Sequence, residues 1–261
     1  MDKVKPGLCI GNLFSMTNFA PVTTFIGAGG KTTCLLSLAR EISLRNEKVI
    51  ATTSTKVFPL SYLNVVQNEV LPESLEYPCF WAARHNVESG KWEGPQIQSI
   101  DAAIKLRNAL NGAKKEFWVI EGDGAKGQKL KFWASHEPQI PSYTECAVLV
   151  VDGGLWNKTI KDEDVHRGER GHGFVGRAWN NHQAWQYLMG SPVFYSRYQK
   201  LNWVILFNEF GQSLNKVDLT ELAHTEIAGF GNPAERIVRP QHLRLAAGNG
   251  KEGTIRWLDL W

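Results

Sequence analysis

The chain has 261 residues, of which 43% are hydrophobic and 21% are charged, and its formal net charge is +3 at pH 7. This composition is typical of an ordinary globular protein, and the charge is too small to indicate a nucleic-acid-binding or membrane-surface protein. No apolar run reaches the roughly 18 residues that a membrane-spanning helix needs, and the polar residues 1–6 lead into no signal-peptide core. We therefore expect a cytoplasmic protein with neither a nucleic-acid nor a membrane partner.

The length suits one large domain, and we expect a single α/β domain over residues 1–261. Residues 1–20 are expected to form a lead-in to the first strand, and residues 153–261 are a candidate C-terminal subregion. The four cysteines are scattered and contain no Cys-x-x-Cys pair. The sequence therefore indicates neither a zinc site nor a redox site.

The first pattern that predicts a ligand site begins with an apolar strand at residues 22–26. Residues 27–33 follow and read Gly-Ala-Gly-Gly-Lys-Thr-Thr. From Thr32 to about Arg45, apolar residues recur at helical spacing, which predicts an amphipathic helix. A strand, a glycine-rich turn and the start of a helix in this order are typical of a phosphate-binding loop.

The chemistry of phosphate binding accounts for these residue types. Glycines let backbone N–H groups approach phosphate oxygens without a Cβ in the way, and the start of the helix directs unpaired N–H groups and a positive dipole at the same anion. We expect Lys31 to reach the terminal phosphates of a nucleotide and the Thr32 hydroxyl to ligate Mg²⁺. The residues predicted to hold the phosphates are Gly27, Ala28, Gly29, Gly30, Lys31, Thr32 and Thr33.

The loop departs from the standard pattern G-x-x-x-x-G-K-[ST], because Phe25 stands where that pattern has its first glycine. Only Ala28 and Gly29 separate Gly27 from Gly30, so we expect a tighter loop than usual. The alternative interpretation is a glycine-rich turn that merely joins a strand to a helix. The lysine, the threonine pair and the flanking strand and helix all agree with the phosphate-binding interpretation.

A second buried strand is predicted at residues 48–53 and completes a right-handed βαβ unit with the first strand and helix. Its carboxyl end carries Thr53, Thr55 and Lys56, and ligands of open α/β sheets bind outside the carboxyl ends of strands. The two hydroxyl groups are candidate contacts for phosphate or for magnesium-bound water, although β-branched threonines also simply favour strands. Lys56 is a candidate cation for the charge that develops in phosphoryl transfer.

Residues 80–83 predict a further strand, and a helix capped by Ser99 or Asp101 is expected to run to about Asn111. Residues 116–121 then predict a strong apolar strand.

An acidic, glycine-rich stretch follows that strand, and residues 121–127 read Glu-Gly-Asp-Gly-Ala-Lys-Gly. Mg²⁺ prefers hard oxygen ligands, so we expect Asp123 to hold it together with Thr32, with Glu121 as the alternative carboxylate. Lys126 is a second candidate cation for the developing charge. The alternative is an acidic turn that binds nothing. The candidate catalytic residues are Lys31, Asp123 and Lys126.

Residues 147–152 predict another buried strand, which again ends in a carboxylate. The histidine-containing stretch 166–172 matches no usual ligand set and is not predicted to bind a metal, but Arg167 within it is a candidate phosphate or partner contact. The candidates for positioning a water molecule are Asp123, Asp152 and His136.

A helix at residues 179–189 and a buried strand at 203–207 are predicted next. Residues 215–218 spell Asn-Lys-Val-Asp, a tetrapeptide that reads guanine when it stands at the end of a strand. Here the predicted strand ends seven residues earlier, so Asp218 is also explained as the cap of a helix at 219–228. The last strands are predicted at 236–238 and 254–258.

Four motifs occur in one order along the chain: residues 27–33, 52–56 (Thr-Thr-Ser-Thr-Lys), 121–127 and 136–141 (His-Glu-Pro-Gln-Ile-Pro). Over about residues 20–210, the chain therefore resembles the YqeC-like family of accessory proteins for selenium-dependent hydroxylases. The resemblance implies a P-loop NTPase fold with a mostly parallel sheet flanked by helices on both faces. It also implies a role in maturing selenium-dependent molybdenum hydroxylases, with such an enzyme or its cofactor-handling proteins as the partner.

The chain departs from that family in three places. Ser54 stands where the family usually has threonine, and Gly122 where it has alanine. Residues 208–211 read Asn-Glu-Phe-Gly where the family has Asn-Lys-x-Asp. The base of the nucleotide therefore stays open between ATP and GTP.

The spacing Gly-x-x-Gly-Lys-Thr-Thr is also similar to the ATP loop of Mur ligases and folylpolyglutamate synthases. Those enzymes phosphorylate a carboxylate and then form an amide, but they are longer, three-domain chains. A nucleotide-binding scaffold without hydrolysis is a third hypothesis. We expect Mg²⁺-dependent binding and hydrolysis of ATP or GTP, at the carboxyl edge of strands that end near residues 26, 53, 121 and 152.

Overall fold

The computed structural model describes residues 7–111, 115–171, 173–210, 216–225 and 238–261. None of the helices in these ranges has the length and apolar character that crossing a membrane requires. The helices are α1 (Leu13–Met16), α2 (Lys31–Ser43), α3 (Ile97–Asn111), α4 (Asn181–Met189) and α5 (Leu219–His224).

A ten-stranded sheet carries the fold. From edge to edge its strands are β1 (Cys9–Gly11), β15 (Thr254–Asp259), β14 (His242–Asn249), β13 (Asn202–Asn208), β11 (Cys146–Asp152), β2 (Val22–Gly27), β9 (Glu116–Glu121), β3 (Lys48–Thr53), β6 (Cys79–Ala82) and β5 (Asn64–Gln67). The eight strands from β14 to β5 run parallel. At one edge β15 pairs antiparallel with β14, and β1 pairs antiparallel with β15.

Two small sheets accompany the large one. One is antiparallel and consists of β4 (Lys56–Val57), β8 (Lys91–Glu93) and β7 (Arg84–Asn86). The other is a parallel pair of β10 (Leu130–Lys131) and β12 (Val165–His166).

Side chains alternate between the two faces of each strand, and apolar clusters bury both faces of the large sheet. On β9, Phe117 and Val119 belong to the apolar cluster that contains α1 and α2, whereas Trp118 and Ile120 belong to the cluster that contains α3. Helices α4 and α5 pack in a third cluster with alternate residues of β11, β13 and β14. Helices therefore cover both faces.

The connections between successive strands lead to opposite sides of β2. From β2 the chain passes through α2 to β3, and β9 later pairs between those two strands. The next strand of the large sheet, β11, pairs on the other side of β2, and β13 and β14 follow outward. In open α/β sheets, ligands bind at the carboxyl ends of strands where the connections diverge in this way. The carboxyl ends of β2 and β11 are therefore the expected place for a ligand.

The structure confirms the predicted mixed α/β architecture, with a large, mostly parallel sheet and helices on both faces. Every long apolar strand that the pattern predicted is present, and each of its ends lies within one residue of the predicted bound. Two elements were missed inside the predicted lead-in, β1 and α1, and β5 and β14 of the large sheet were missed as well. Residues 236–237 of a predicted strand and 226–228 of a predicted helix lie outside the described ranges.

Candidate functional site

The glycine loop joins β2 to α2 and adopts backbone conformations that other residues avoid. Gly27, Gly29 and Gly30 have φ angles of 96°, 87° and 102°, and only glycine visits this region freely. A Cβ on Gly29 would lie 2.5 Å from the backbone nitrogen of Asp152. The loop after β2 therefore touches the loop after β11, at the carboxyl ends of strands where a ligand is expected.

The start of α2 presents unpaired amides at the end of this loop. The Cys34 N–H donates to the Gly30 carbonyl at 3.0 Å, and Gly30 provides no side-chain cap. The amides of the first turn therefore have no acceptor within the helix. Because that turn contains no acidic residue, the positive end of the helix dipole is not offset by the helix itself. This arrangement suits an anion.

Lys31 is buried between two carboxylates from β9 and the residues that follow it. Its Nζ lies 3.3 Å from Asp123 Oδ1 and 3.6 Å from Glu121 Oε1, and it donates to the Gly27 carbonyl at 2.7 Å. Burial alone lowers the pKa of Lys31, but the two carboxylates outweigh burial and raise that pKa above its ordinary value. Burial also raises the pKa of Glu121. Lys31 is therefore a charged ammonium held at the base of the loop.

Two hydroxyl groups complete this cluster. Thr32 Oγ1 donates to Glu121 Oε2 at 2.7 Å. Thr53 Oγ1 donates to the Glu121 carbonyl at 3.1 Å and lies 3.0 Å from Thr55 Oγ1. These contacts follow from the sheet, since the carboxyl ends of β2 and β3 both pair with Glu121 of β9. The structure thus brings together the predicted site residues Lys31, Thr32, Thr53, Glu121 and Asp123.

Asp123 is fully enclosed and serves as the acceptor for several donors. Its two carboxylate oxygens accept from the Gly27 N–H at 3.0 and 3.1 Å, and Oδ2 accepts from Trp133 Nε1 at 2.7 Å. The hydrogen bonds to Gly27 tie the end of β9 directly to the glycine loop. The Asp123 carboxylate is therefore held in place by one backbone donor, the Gly27 N–H, and one side-chain donor, the Trp133 indole.

A second buried lysine extends the cluster away from the loop. Lys131 Nζ lies 3.8 Å from Asp123 Oδ2 and 3.0 Å from Glu137 Oε1. Glu137 Oε2 lies 3.1 Å from Arg167 Nη2. Charges of alternating sign therefore run from Glu121 through the buried lysines to Arg167, which was predicted only as a phosphate or partner contact.

The sequence pattern did not single out Lys131, Trp133 or Glu137. Glu137 lies in the fourth motif, in which the neighbouring His136 was the predicted candidate, and His136 is exposed. A lysine and a tryptophan in a short apolar segment carry no periodic signal, so their convergence on Asp123 becomes visible only in three dimensions.

The predicted cations Lys56 and Lys126 have other surroundings. Lys56 Nζ lies 2.6 Å from Glu93 Oε1, and hydrogen bonds from Lys56 and Arg84 lower the pKa of Glu93 to about 2. Lys126 is exposed, with a φ of 50°. Their contact with a phosphate stays a prediction.

Asp152 follows β11, as predicted, and its carboxylate accepts from the Gly154 N–H at 2.7 Å. Burial raises the pKa of Asp152. Its backbone lies against Gly29, so Asp152 borders the glycine loop and also caps a short turn. Its role in positioning a water molecule stays a prediction, as do those of Asp123 and His136.

Asn208, at the carboxyl end of β13, holds the glycine loop from the opposite side. Its Nδ2 donates to the Gly29 carbonyl at 2.8 Å, and its Oδ1 accepts from the Gly250 N–H at 3.0 Å. The ring of Phe210 lies against Gly30. The sequence analysis named Asn208 only as part of residues 208–211, which differ from the family's Asn-Lys-x-Asp. Its position at the end of a predicted strand could have indicated a place in the site.

Residues 216–218 of the predicted tetrapeptide lie beside that strand end, since the Val217 N–H donates to Glu209 Oε1 at 3.0 Å. Asp218 caps α5, where its Oδ1 accepts from the amides of Thr220 at 2.9 Å and Glu221 at 3.0 Å. This is the capping alternative that the sequence predicted. Asn215 lies outside the described ranges.

The oxygen donors of the cluster are of the type that Mg²⁺ takes. Within the described ranges, no group of three or more histidine, cysteine, aspartate and glutamate side chains is placed to hold a metal ion on its own. The Thr32 hydroxyl and the Glu121 carboxylate are in direct contact at 2.7 Å, and Asp123 lies on the other side of Lys31. Such a sparse set fits an ion that keeps several waters and also binds phosphate oxygens.

Two comparisons with known proteins bear on this site. The family model described as YqeC protein matches residues 23–169, which is more than half of the chain. The chain belongs to the YqeC family. The resemblance inferred from the four motifs is thereby confirmed.

A curated YqeC relative, the uncharacterized protein YqeC of Escherichia coli (strain K12), is 34% identical over 154 residues. This alignment covers 56% of the present chain and 57% of the relative, so the chain spans little more than half the length of the relative that it matches. No solved structure matches the chain. The YqeC match includes the glycine loop and its carboxylates but ends before Asn208 and Phe210.

Proposed function

We propose that this chain binds a nucleoside triphosphate together with Mg²⁺ at the glycine loop and hydrolyses it. The observation that carries the proposal is the direct contact of Lys31 and Thr32, the first residues of α2, with Glu121 and Asp123 at the end of β9. A lysine, a hydroxyl and two carboxylates meet where a helix presents unpaired amides. These are the groups that holding a polyphosphate and its divalent cation requires.

Each group has a distinct role in this proposal. The amides of residues 27–33 and the Lys31 ammonium bind the phosphates, while Thr32 and Asp123 hold Mg²⁺ and Glu121 orients the Thr32 hydroxyl. Mg²⁺ neutralises charge on the phosphate oxygens during phosphoryl transfer. Because Lys31 now donates to the Gly27 carbonyl, a phosphate oxygen would replace that carbonyl as its acceptor.

We further propose that this activity serves the maturation of selenium-dependent molybdenum hydroxylases. The support is membership of the YqeC family, together with the accessory role that the four motifs imply. The partner would be such a hydroxylase or one of its cofactor-handling proteins.

Calorimetric titration of Mg·ATP and of Mg·GTP into the wild-type chain and Lys31→Ala tests the binding. We expect the wild type to bind at least one nucleotide, and the variant to lose roughly 10- to 100-fold in affinity, as expected for a charged hydrogen bond. Thr32→Val provides a second variant, which leaves the buried ion pairs of Lys31 in place and should weaken binding only when Mg²⁺ is present. Lys105→Ala is the control, since this lysine of α3 is exposed and is not a predicted site residue. A wild-type chain that binds neither nucleotide contradicts the proposal.

Phosphate release separates hydrolysis from the two alternatives. A hydrolase releases phosphate from the Mg²⁺ nucleotide alone, and Lys31→Ala abolishes the release. A ligase of the Mur type releases phosphate only when a carboxylic acid and an amine are added. A scaffold binds the nucleotide without turnover in either condition.

A further inference from the structure

A groove of about 660 Å³ opens beside the glycine loop and runs along the outer side of α2. Its lining begins at Thr33 in the first turn of the helix and continues past Arg40. Tyr62 and the turn at residues 251–253 also line it, together with Phe210. The groove therefore starts where the proposed phosphate site ends.

A ligand held by its phosphates on the glycine loop would reach this groove directly. Thr33 belongs both to the predicted phosphate-binding residues and to the groove. The Phe210 ring touches Gly30 of the loop, yet 39% of Phe210 remains exposed. The next chemical group after the phosphates would thus lie against an accessible aromatic ring.

We infer that the groove holds the nucleoside of the triphosphate, with its base stacked on Phe210. This inference rests on the proposed function and adds the means by which the base is held. A planar base and an aromatic ring match in shape and polarity, and such stacking contributes about 1–3 kcal/mol per base. Tyr62 supplies a second exposed ring in the groove, and its hydroxyl donates to the Leu36 carbonyl, which anchors that ring to α2.

The same geometry implies weak discrimination between bases. Asn208 is fully buried, and its amide is engaged at both ends, by the Gly29 carbonyl and the Gly250 N–H. Because Asn208 is fully buried and does not line the groove, its amide is not presented to a base edge. Of the four charged residues that line the groove, Arg40, Lys251 and Glu252 are exposed, so water screens their interactions. The fourth, Glu41, is half-buried, and its carboxylate already accepts from the amides of Leu13 and Phe14. Stacking, which every base offers, then dominates, and ATP and GTP should bind within about tenfold of each other.

The test compares three probes on the full chain: Mg·ATP, Mg·GTP and Mg·tripolyphosphate, which has no base. We expect Phe210→Ala to weaken both nucleotides by roughly 5- to 150-fold, the equivalent of one stacked base. Its affinity for Mg·tripolyphosphate should remain that of the wild type, which also shows that the loop is intact. Phe210→Trp should retain nucleotide binding. Phe58→Ala is the matched control, because Phe58 is 63% exposed and does not line the groove.

The outcomes separate this inference from the proposed function. If the wild type binds all three probes and Phe210→Ala weakens neither nucleotide, or weakens tripolyphosphate equally, the stacking site is wrong and the phosphate site stands. A wild type that binds tripolyphosphate as tightly as ATP overturns the nucleoside groove in the same way. A preference for one nucleotide far above tenfold overturns stacking as the basis of recognition. If the wild type binds none of the probes, the proposed function and the inference both fail.

Discussion

Lys131 is a buried lysine that lies between two carboxylates. Its side chain is fully buried, with Asp123 at 3.8 Å and Glu137 at 3.0 Å, and it also donates to the Gly124 carbonyl. A buried ammonium is stable only when nearby carboxylates compensate for the loss of water. Lys131 and Lys31 thus share Asp123 between them.

Replacement of this lysine should be costly. Lys131→Met fills a similar volume but leaves Asp123 and Glu137 with one cation fewer in a buried site. We expect the free energy of unfolding to fall by about 3–5 kcal/mol, as for other broken buried pairs. Urea unfolding followed by tryptophan fluorescence measures this change.

Lys129→Met is the matched control for that substitution. Lys129 Nζ lies 2.7 Å from Asp164 Oδ1, but the lysine side chain is 49% exposed. The loss of such a pair should cost no more than about 1 kcal/mol. Equal losses in the two variants would show that burial does not set the contribution of Lys131.

At the scale of elements, α3 is fastened to β9 by one ion pair. Arg107 of α3 donates through Nε to Glu116 Oε2 at 2.6 Å and through Nη2 to Oε1 at 2.8 Å. The Tyr77 hydroxyl donates to the same carboxylate. Burial raises the pKa of Glu116, but the hydrogen bonds from Arg107 and Tyr77 outweigh burial, so that the pKa lies below its ordinary value.

This lowered pKa makes the attachment of α3 sensitive to acid. The carboxylate contributes its full stabilisation above its ordinary pKa of 4.5 and loses it as the pH falls through the lower value in the folded protein. Glu116→Gln should therefore be less stable than the wild type at neutral pH and should lose less stability below pH 4.5. Unfolding free energies measured from pH 7 downward give both slopes, with the exposed Glu76→Gln as the control. Parallel slopes for the wild type and Glu116→Gln would show that this pair does not govern the acid response.

At the scale of the whole molecule, Asn208 connects the part of the chain matched by the YqeC family with the strands that follow it. One side-chain amide joins the glycine loop after β2 to the turn after β14. The conformation of Gly29 therefore depends on strands that lie beyond the family match.

Asn208→Ala should weaken both the fold and the proposed phosphate site. The variant leaves the Gly29 carbonyl and the Gly250 N–H without their buried partner, which should cost about 2–5 kcal/mol in the free energy of unfolding. Affinity for Mg·tripolyphosphate should fall as well, because the loop is no longer held. Asn249→Ala is the control, since its side chain accepts from the amides of the exposed Lys251 and Glu252. Unchanged affinity in a destabilised Asn208→Ala would limit Asn208 to a structural role.

The sequence predicts the centre of this molecule better than its edges. Central parallel strands such as residues 147–152 are buried on both faces and therefore appear as continuous apolar runs. Edge strands such as β1 and β7 have three residues each, too few to show a period. The glycine loop and its carboxylates are visible because phosphate binding demands particular residue types at strand ends. The roles of Asn208 and Lys131 are not visible in the sequence, because they depend on partners that sequence spacing does not indicate. Asn208, for example, donates to a residue 179 positions away.

The insertion of β9 between β2 and β3 has a consequence for synthesis on the ribosome. The glycine loop and α2 emerge long before residues 116–123, which carry the carboxylates that surround Lys31. Until then the backbone groups of β2 and β3 that pair with β9 have no partner, because β9 has not been translated. Because non-local strand pairing must wait for the later segment, a nascent chain has no assembled loop to offer a nucleotide. The proposed activity would therefore begin only after β9 has paired with β2 and β3 in the middle of the sheet.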